Sequence, residues 1–234
     1  MAESSAVAVP LSLAAGEPVG GLWRREPLTG LVRLLCEAVP EPTGRPRVVA
    51  VDGRSGGGKS TLAEQLHRAV PSSAVVHTDD IAWHHSFFDW DQLLAQGVLG
   101  PVRRGEAVRY RPPGWEAQGR PGSVDVPAGL ELLVVEGVGA GRRELTHLLD
   151  AVVWVQSDLV EAERPAIERD VATGAKPDRG AAVAFYDEWM AQEVPFLDGQ
   201  RPWERAVVIV AGTRAEAHDP MHVLLALPGE QLDS

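Results

Sequence analysis

Residues 48–63, VVAVDGRSGGGKSTLA, set the terms for the rest of the chain. They join a short apolar strand, a glycine-rich turn and the start of a helix, and residues 53–60 fit G-x-x-x-x-G-K-[ST]. Such a turn must fold tightly enough for successive N–H groups to converge on phosphate oxygens, in space that any Cβ would fill. Gly53, Gly56, Gly57 and Gly58 supply that freedom, with Arg54 and Ser55 completing the turn. Lys59 reaches forward as a point charge to the β- and γ-phosphates, and Ser60 offers a hydroxyl to Mg²⁺. Thr61 lies in the first turn of the following helix, whose N-terminal dipole favours the anion. Residues Gly53 to Thr61 are therefore the expected nucleotide-binding set. A glycine-rich chain can produce this string by accident, but its position between an apolar strand and a helix argues against that.

Composition narrows the rest. A chain of 234 residues fits one large α/β domain with a substantial core. Lys and Arg number 22 and Asp and Glu 33, a formal charge of −11 that repels polyanions, and no basic stripe is interleaved with aromatics. Nucleic acid is not an expected partner. A single cysteine, Cys36, excludes an internal disulfide and suits a reducing cytoplasm. The N-terminal residues carry Glu3, Pro10, Gly16 and Pro18 and do not read as a signal peptide, and no apolar run is long enough to span a membrane. A homo-oligomer remains open.

Residues 1–26 read as a loosely held leader and 28–39 as a helix stopped by Pro40. Strands are expected at 47–51, 74–77, 132–135, 151–155 and 206–210, with helices over 60–70, 159–173 and 181–193. Apolar strands alternating with helices predict a doubly wound α/β fold: a parallel sheet of about five strands, helices on both faces and a lid. The expected organisation is a leader and helix over 1–46, one domain over 47–215 and a C-terminal segment over 216–234. Within the domain a flap covers about 81–128 and the lid about 159–180.

Ligands of such sheets sit at the carboxyl ends of the strands. Asp79 and Asp80 directly follow the second strand, where a carboxylate would face a γ-phosphate and take a proton from an acceptor hydroxyl. The pair also reads as a helix cap. Glu136 closes the apolar run LLVVE, a place for a ligand of Mg²⁺ or its water, or for a salt-bridge partner. His77 reads as a core histidine. Residues 211–213 read as a turn or as an adenine contact.

VAVDGRSGGGKSTLA, VVHTDDIAW, LLVVEGVGA and AIERD, in that order, resemble the uridine kinase and phosphoribulokinase branch of phosphate-loop kinases over roughly residues 47–213. The resemblance implies ATP or GTP as donor and a nucleoside or other small hydroxyl compound as acceptor. It implies Asp79 as general base, and Ser60 with Glu136 holding the metal. The family's lid carries several arginines, whereas this chain offers Arg164 and Arg169 there, with Lys176 and Arg179 following. Arg169, in ERD, is the expected catalytic arginine beside Asp79 and Lys59.

Between Asp80 and Tyr110 lie Trp83, His84, His85, Phe87, Phe88 and Trp90, dense for a chain that is 6% aromatic. Flat side chains stack on a base or a sugar face, and a carboxylate such as Asp89 binds paired hydroxyls. Asp80, Trp83, His84, Asp89 and Tyr110 are the expected acceptor-binding residues, although such a cluster also packs a flap onto a domain. A nucleoside kinase of the family would place a histidine shortly after Tyr110, where this chain has Arg111-Pro112-Pro113-Gly114-Trp115. That difference keeps a non-nucleoside alcohol open as acceptor. The sparse lid keeps open a nucleotide-dependent switch with weak transfer.

Overall fold

The computed structural model describes residues 11–13, 16–17, 23–212 and 220–228. Its elements begin with strand β1 (Arg24–Pro27), helix α1 (Leu28–Glu37), β2 (Arg47–Gly53), α2 (Lys59–Ala69), β3 (Ser73–His77) and the short α3 (Thr78–Ala82). There follow α4 (Asp91–Leu94), a π-helical turn (Ala95–Leu99) and α5 (Gly100–Arg103), which run on as one helical stretch. The second half holds β4 (Val108–Tyr110), α6 (Pro113–Ala117), β5 (Val124–Val126), β6 (Leu132–Glu136), β7 (Ala151–Gln156), α7 (Glu163–Ala172), α8 (Arg179–Gln200), β8 (Val208–Ala211) and β9 (His222–Ala226).

Val48 to Val51 are wholly buried, because β2 is central in the sheet and covered on both faces. Strand β2 pairs in parallel with β6 on one side and β7 on the other, with β3 outside β6 and β8 outside β7. Val49 and Val51 face one way, into a core with Leu31 and Leu35 of α1 and Leu62 and Leu66 of α2. Val48 and Ala50 face the other, into a core with Ile81, Trp90, Leu94 and Leu197. The parallel, doubly wound architecture follows from the sequence as expected.

The sheet is larger than five strands. Strands β1 and β9 extend it beyond β8 in antiparallel register, giving seven in the order β1-β9-β8-β7-β2-β6-β3. Residues 24–26 of the expected leader thus belong to the sheet, in a strand that ends at Pro27. Pro27 stands at the N-cap of α1, where its fixed φ turns an edge strand into a helix. Strands β4 and β5 form a separate antiparallel pair within the flap.

Helices α7 and α8 pack through Ala166, Ile167, Ala182 and Tyr186. Pro165 does not break α7, because it falls in the first turn, where a missing N–H removes no intrahelical bond. Helix α8 extends seven residues past the expected end at 193, to Gln200, and the added turns carry Phe196 and Leu197 to the core on that face.

Candidate active site

The chain leaves β2 through a tight turn and enters α2 with Gly58 as N-cap at φ 95°, a left-handed conformation that glycine adopts without strain. A Cβ on Gly56 would overlap the carbonyl oxygen of Ala162, so the turn also lies against the start of the lid. Lys59 is folded across the loop, its Nζ donating to the Arg54 carbonyl at 2.6 Å. Ser55, Gly56, Gly57, Gly58, Lys59, Ser60 and Thr61 line a cavity of about 950 Å³. Gly53 and Arg54 do not line it. Arg54 turns away into a buried ion pair with Glu17, Nη2 to Oε1 2.5 Å, and Gly53 donates its N–H to Asp52 at 2.7 Å. These two residues shape the loop.

Asp79, Asp80, Trp83, His84, Glu136 and Arg169 line the same cavity. Asp79 lies in α3, which starts directly from β3 with no side-chain capping bond at its N-cap. Its carboxylate has no hydrogen-bond or ion-pair partner among the described residues, although solvent reaches it from the cavity. Burial among surrounding groups pushes this carboxyl up, as does the charge of Glu136, against the opposing pull of Lys59 and Arg169. Asp80 is engaged: Arg120 donates to its Oδ1 at 2.8 Å while stacking over Trp115 at 3.7 Å.

Glu136 ends β6 in register with His77, the last residue of β3. His77 Nδ1 and Glu136 Oε2 are 2.7 Å apart. His77 is thus no core histidine: it stands at the strand's end, its side chain 47% exposed and turned into the cavity. Burial would raise the Glu136 carboxyl, but the His77 bond, the charge of Lys59 and the Ser60 hydroxyl together hold it below its ordinary value. A hydroxyl and an ionised carboxylate side by side are hard oxygen donors of the kind Mg²⁺ takes. Among the described residues no cluster of three or more His, Cys, Asp or Glu is arranged to hold a metal, so an ion here would draw further ligands from phosphate and water.

The lid contributes Arg169 and Lys176 to the cavity, but not Arg164 or Arg179. Arg169 Nη2 pairs with Asp170 at 2.9 Å, and Lys176 Nζ sits 3.4 Å from the centre of the Phe185 ring. Opposite, Trp83, His84, His85 and Phe87 from the flap meet Phe185 and Trp189 of α8. His84 holds φ 54°, a left-handed conformation uncommon outside glycine.

Two expected acceptor residues lie elsewhere. Tyr110 packs its ring against Gly97, where a Cβ would collide with it, and lines a separate, shallower groove. The π-helical turn of 95–99 presents that glycine, and β4 carries the tyrosine to it. Asp89 lies outside the cavity, accepting the Ser86 hydroxyl at 2.8 Å in a local turn. Phe88 is also outside, stacked on Phe196 at 4.1 Å. Part of the aromatic cluster therefore packs the flap down, and part lines the cavity.

No protein-family model and no curated protein matches the sequence. Among solved structures, a protein of Silicibacter sp. TM1040 provisionally assigned as a fructose transport system kinase superposes with TM-score 0.55 at 20% identity, covering 77% of this chain and 95% of that one. A provisionally assigned uridine kinase from Bacillus stearothermophilus superposes less closely, with TM-score 0.45 at 17% identity, over 78% of this chain and 96% of that one. The chain has the phosphate-loop NTPase α/β fold.

Within this phosphate-loop fold, two carboxylates that hold the loops have no counterpart in the motif. Asp52 is fully buried behind the loop and accepts N–H groups from both strand ends. Glu193, also fully buried, reaches the phosphate loop from α8, 138 residues later in the chain. Asp52 stands immediately before the motif, outside its pattern, and nothing local marks Glu193. Gly212 packs on the phosphate loop, where a Cβ would overlap the Gly57 carbonyl. Thr213 lies outside the described residues.

Proposed function

We propose that the protein is a small-molecule kinase that transfers the γ-phosphate of ATP or GTP to a hydroxyl of a small acceptor, nucleoside-like in the leading reading. One observation carries this: an unpartnered carboxylate, Asp79, shares a cavity with a phosphate loop on one side and an aromatic wall on the other.

The loop N–H groups of residues 55–60 and the Lys59 ammonium hold the triphosphate, Lys59 exchanging the Arg54 carbonyl for phosphate oxygen. Ser60 and Glu136 would hold Mg²⁺, which supplies charge neutralisation between the phosphates. The acceptor lies against Trp83, His84, Phe87 and Trp189 with its hydroxyl at Asp79. As the acceptor oxygen forms its bond to the γ-phosphorus, the bond from that phosphorus to the β–γ bridging oxygen breaks. The hydroxyl proton passes to Asp79, whose affinity for protons burial and the charge of Glu136 raise above that of a free carboxylate. Arg169 and Lys176 offset the charge on the transferring group, and the lid excludes water.

A non-nucleoside alcohol is the second reading. It is favoured by the positions of Tyr110 and Asp89, which leave the cavity without the tyrosine and the diol-binding carboxylate expected of a nucleoside site. The test is release of ADP or GDP from MgATP or MgGTP across a panel of nucleosides, sugars and other alcohols. A nucleoside that accelerates release supports the leading reading, and acceleration confined to another alcohol supports the second. No acceleration above hydrolysis by any acceptor, with nucleotide bound, would overturn transfer and leave a nucleotide switch.

A further inference from the structure

Phe185, Trp189, Glu193 and Phe196 recur at helical spacing along one stripe of α8. At one end of the stripe, Trp189 lines the acceptor side of the cavity, its ring centre 5.0 Å from Phe87 and 5.3 Å from Phe88. One turn further on, the Glu193 carboxylate is 0% exposed and has no ion-pair partner among the described residues. It is held by N–H donors alone. Trp189 Nε1 donates to Oε2 at 2.5 Å, and the backbone N–H of Ser55 donates to the same oxygen at 3.1 Å and to Oε1 at 3.4 Å.

Burying a carboxylate without a cation is unfavourable, and placing it beside an anion-binding loop adds repulsion toward the phosphates. Its position makes physical sense as a bridge. One oxygen joins the indole that faces the acceptor to the turn that faces the nucleotide, through two charge-assisted hydrogen bonds. We propose that Glu193 is a positioning residue that couples the aromatic acceptor wall to the phosphate loop, so that an acceptor fixing Trp189 also fixes Ser55 and strengthens nucleotide binding. By linkage, nucleotide bound at the loop orders Trp189 for the acceptor.

The inference rests on the reading of residues 53–61 as a triphosphate site, and MgATP alone tests both. Calorimetric titration of the full chain with MgATP is compared for wild type, Trp189→Phe, Glu193→Gln and the double variant. Trp189→Phe keeps an aromatic ring but removes the Nε1–H, while Glu193→Gln removes the charge from both hydrogen bonds and puts an N–H donor in place of the second oxygen that faces Ser55 N–H. Each single variant is expected to weaken MgATP binding about fivefold, and the double variant no further than either one, the signature of a shared path. Thermal melting confirms that each is folded, and the two are read separately so that loss of one leaves the other decisive. Wild type that takes up no MgATP overturns the triphosphate reading itself. Wild type that binds while either folded variant binds equally or more tightly, or while the two effects multiply, overturns the coupling alone.

Discussion

Oδ1 of Asp52 accepts the N–H of Gly139 at 2.8 Å, tying the strand that carries the phosphate loop to the turn that follows Glu136. The same carboxylate accepts Gly53 N–H at 2.7 Å and Gly141 N–H at 2.9 Å. Asparagine is nearly the same size but offers one acceptor oxygen and an amide that points donors at donors. In a site with no exposure, Asp52→Asn should therefore reduce stability by about 2–3 kcal/mol, measured by urea unfolding. A change below about 0.5 kcal/mol, the level of an ordinary surface substitution, would show that the brace is dispensable.

Asp79→Asn separates chemistry from folding. The variant should lower kcat by roughly 10² or more, with MgATP affinity nearly intact. Because Asp79 must be ionised to act, wild-type kcat should fall as pH drops through a value above the ordinary 3.8, and the variant should lack that limb. The stability sign runs the other way. A carboxyl whose folded pKa is raised favours folding fully below its unfolded value, and this advantage is lost as pH rises through the folded one. Asp79→Asn should thus melt at a higher temperature than wild type at neutral pH, with the gain vanishing in acid. Unchanged turnover would remove Asp79 from the role of base.

The parts of this site readable from the sequence are those in which chemistry and local structure coincide. Glu136 is the last residue of a strand, Asp79 lies two residues past one, and the glycine turn carries β2 into Lys59 and Ser60, so the strand pattern also places these residues in the cavity. Tyr110 ends β4 of the flap and Asp89 lies in a turn, neither at an end of the central sheet, and their orientation is decided by Gly97 and Ser86, which composition does not reveal. Strand β1, Arg24–Pro27, lacks an apolar pattern because it is an edge strand paired on one side only, to β9. Glu188, Trp189 and Glu193 sit on a helix whose partners the sequence does not identify, and Trp189 and Glu193 gain theirs only when α8 is placed across the loop.

Asp150 anchors the entry to β2. It accepts from Arg45 at 2.6 and 2.8 Å, from Arg103 at 2.8 Å and from the Val48 N–H at 2.8 Å. Burial alone would raise this carboxyl, but the bonds from Arg45 and Val48 and the charges of Arg45 and Arg103 hold it below its ordinary value. A depressed folded pKa contributes stability above the unfolded value and loses it as pH falls through the folded one. Asp150→Asn should cost about 2 kcal/mol at pH 7 and progressively less below the ordinary carboxylate value. Urea unfolding of both proteins at neutral and acidic pH checks this, and a cost independent of pH would refute the ionic account.

Gly137 sets how closely the two carboxylate-bearing strand ends approach. It has φ +151°, in a region glycine enters freely, and a Cβ there would overlap Oγ1 of Thr78, the residue before Asp79. The neighbouring position, Glu136, carries the proposed metal contact, so Gly137→Ala pushes apart the supports of both groups. The displaced atom belongs to a buried threonine at the start of α3, which cannot swing into solvent. The substitution should destabilise by about 2 kcal/mol or more and lower kcat over tenfold, since misplacing a reacting group by about 1 Å costs on the order of 10² in rate. The phosphate loop is left intact, so MgATP binding by calorimetry should change less than kcat does. Equal losses in both would mean that the glycine supports the nucleotide site as a whole rather than the spacing between Asp79 and Glu136.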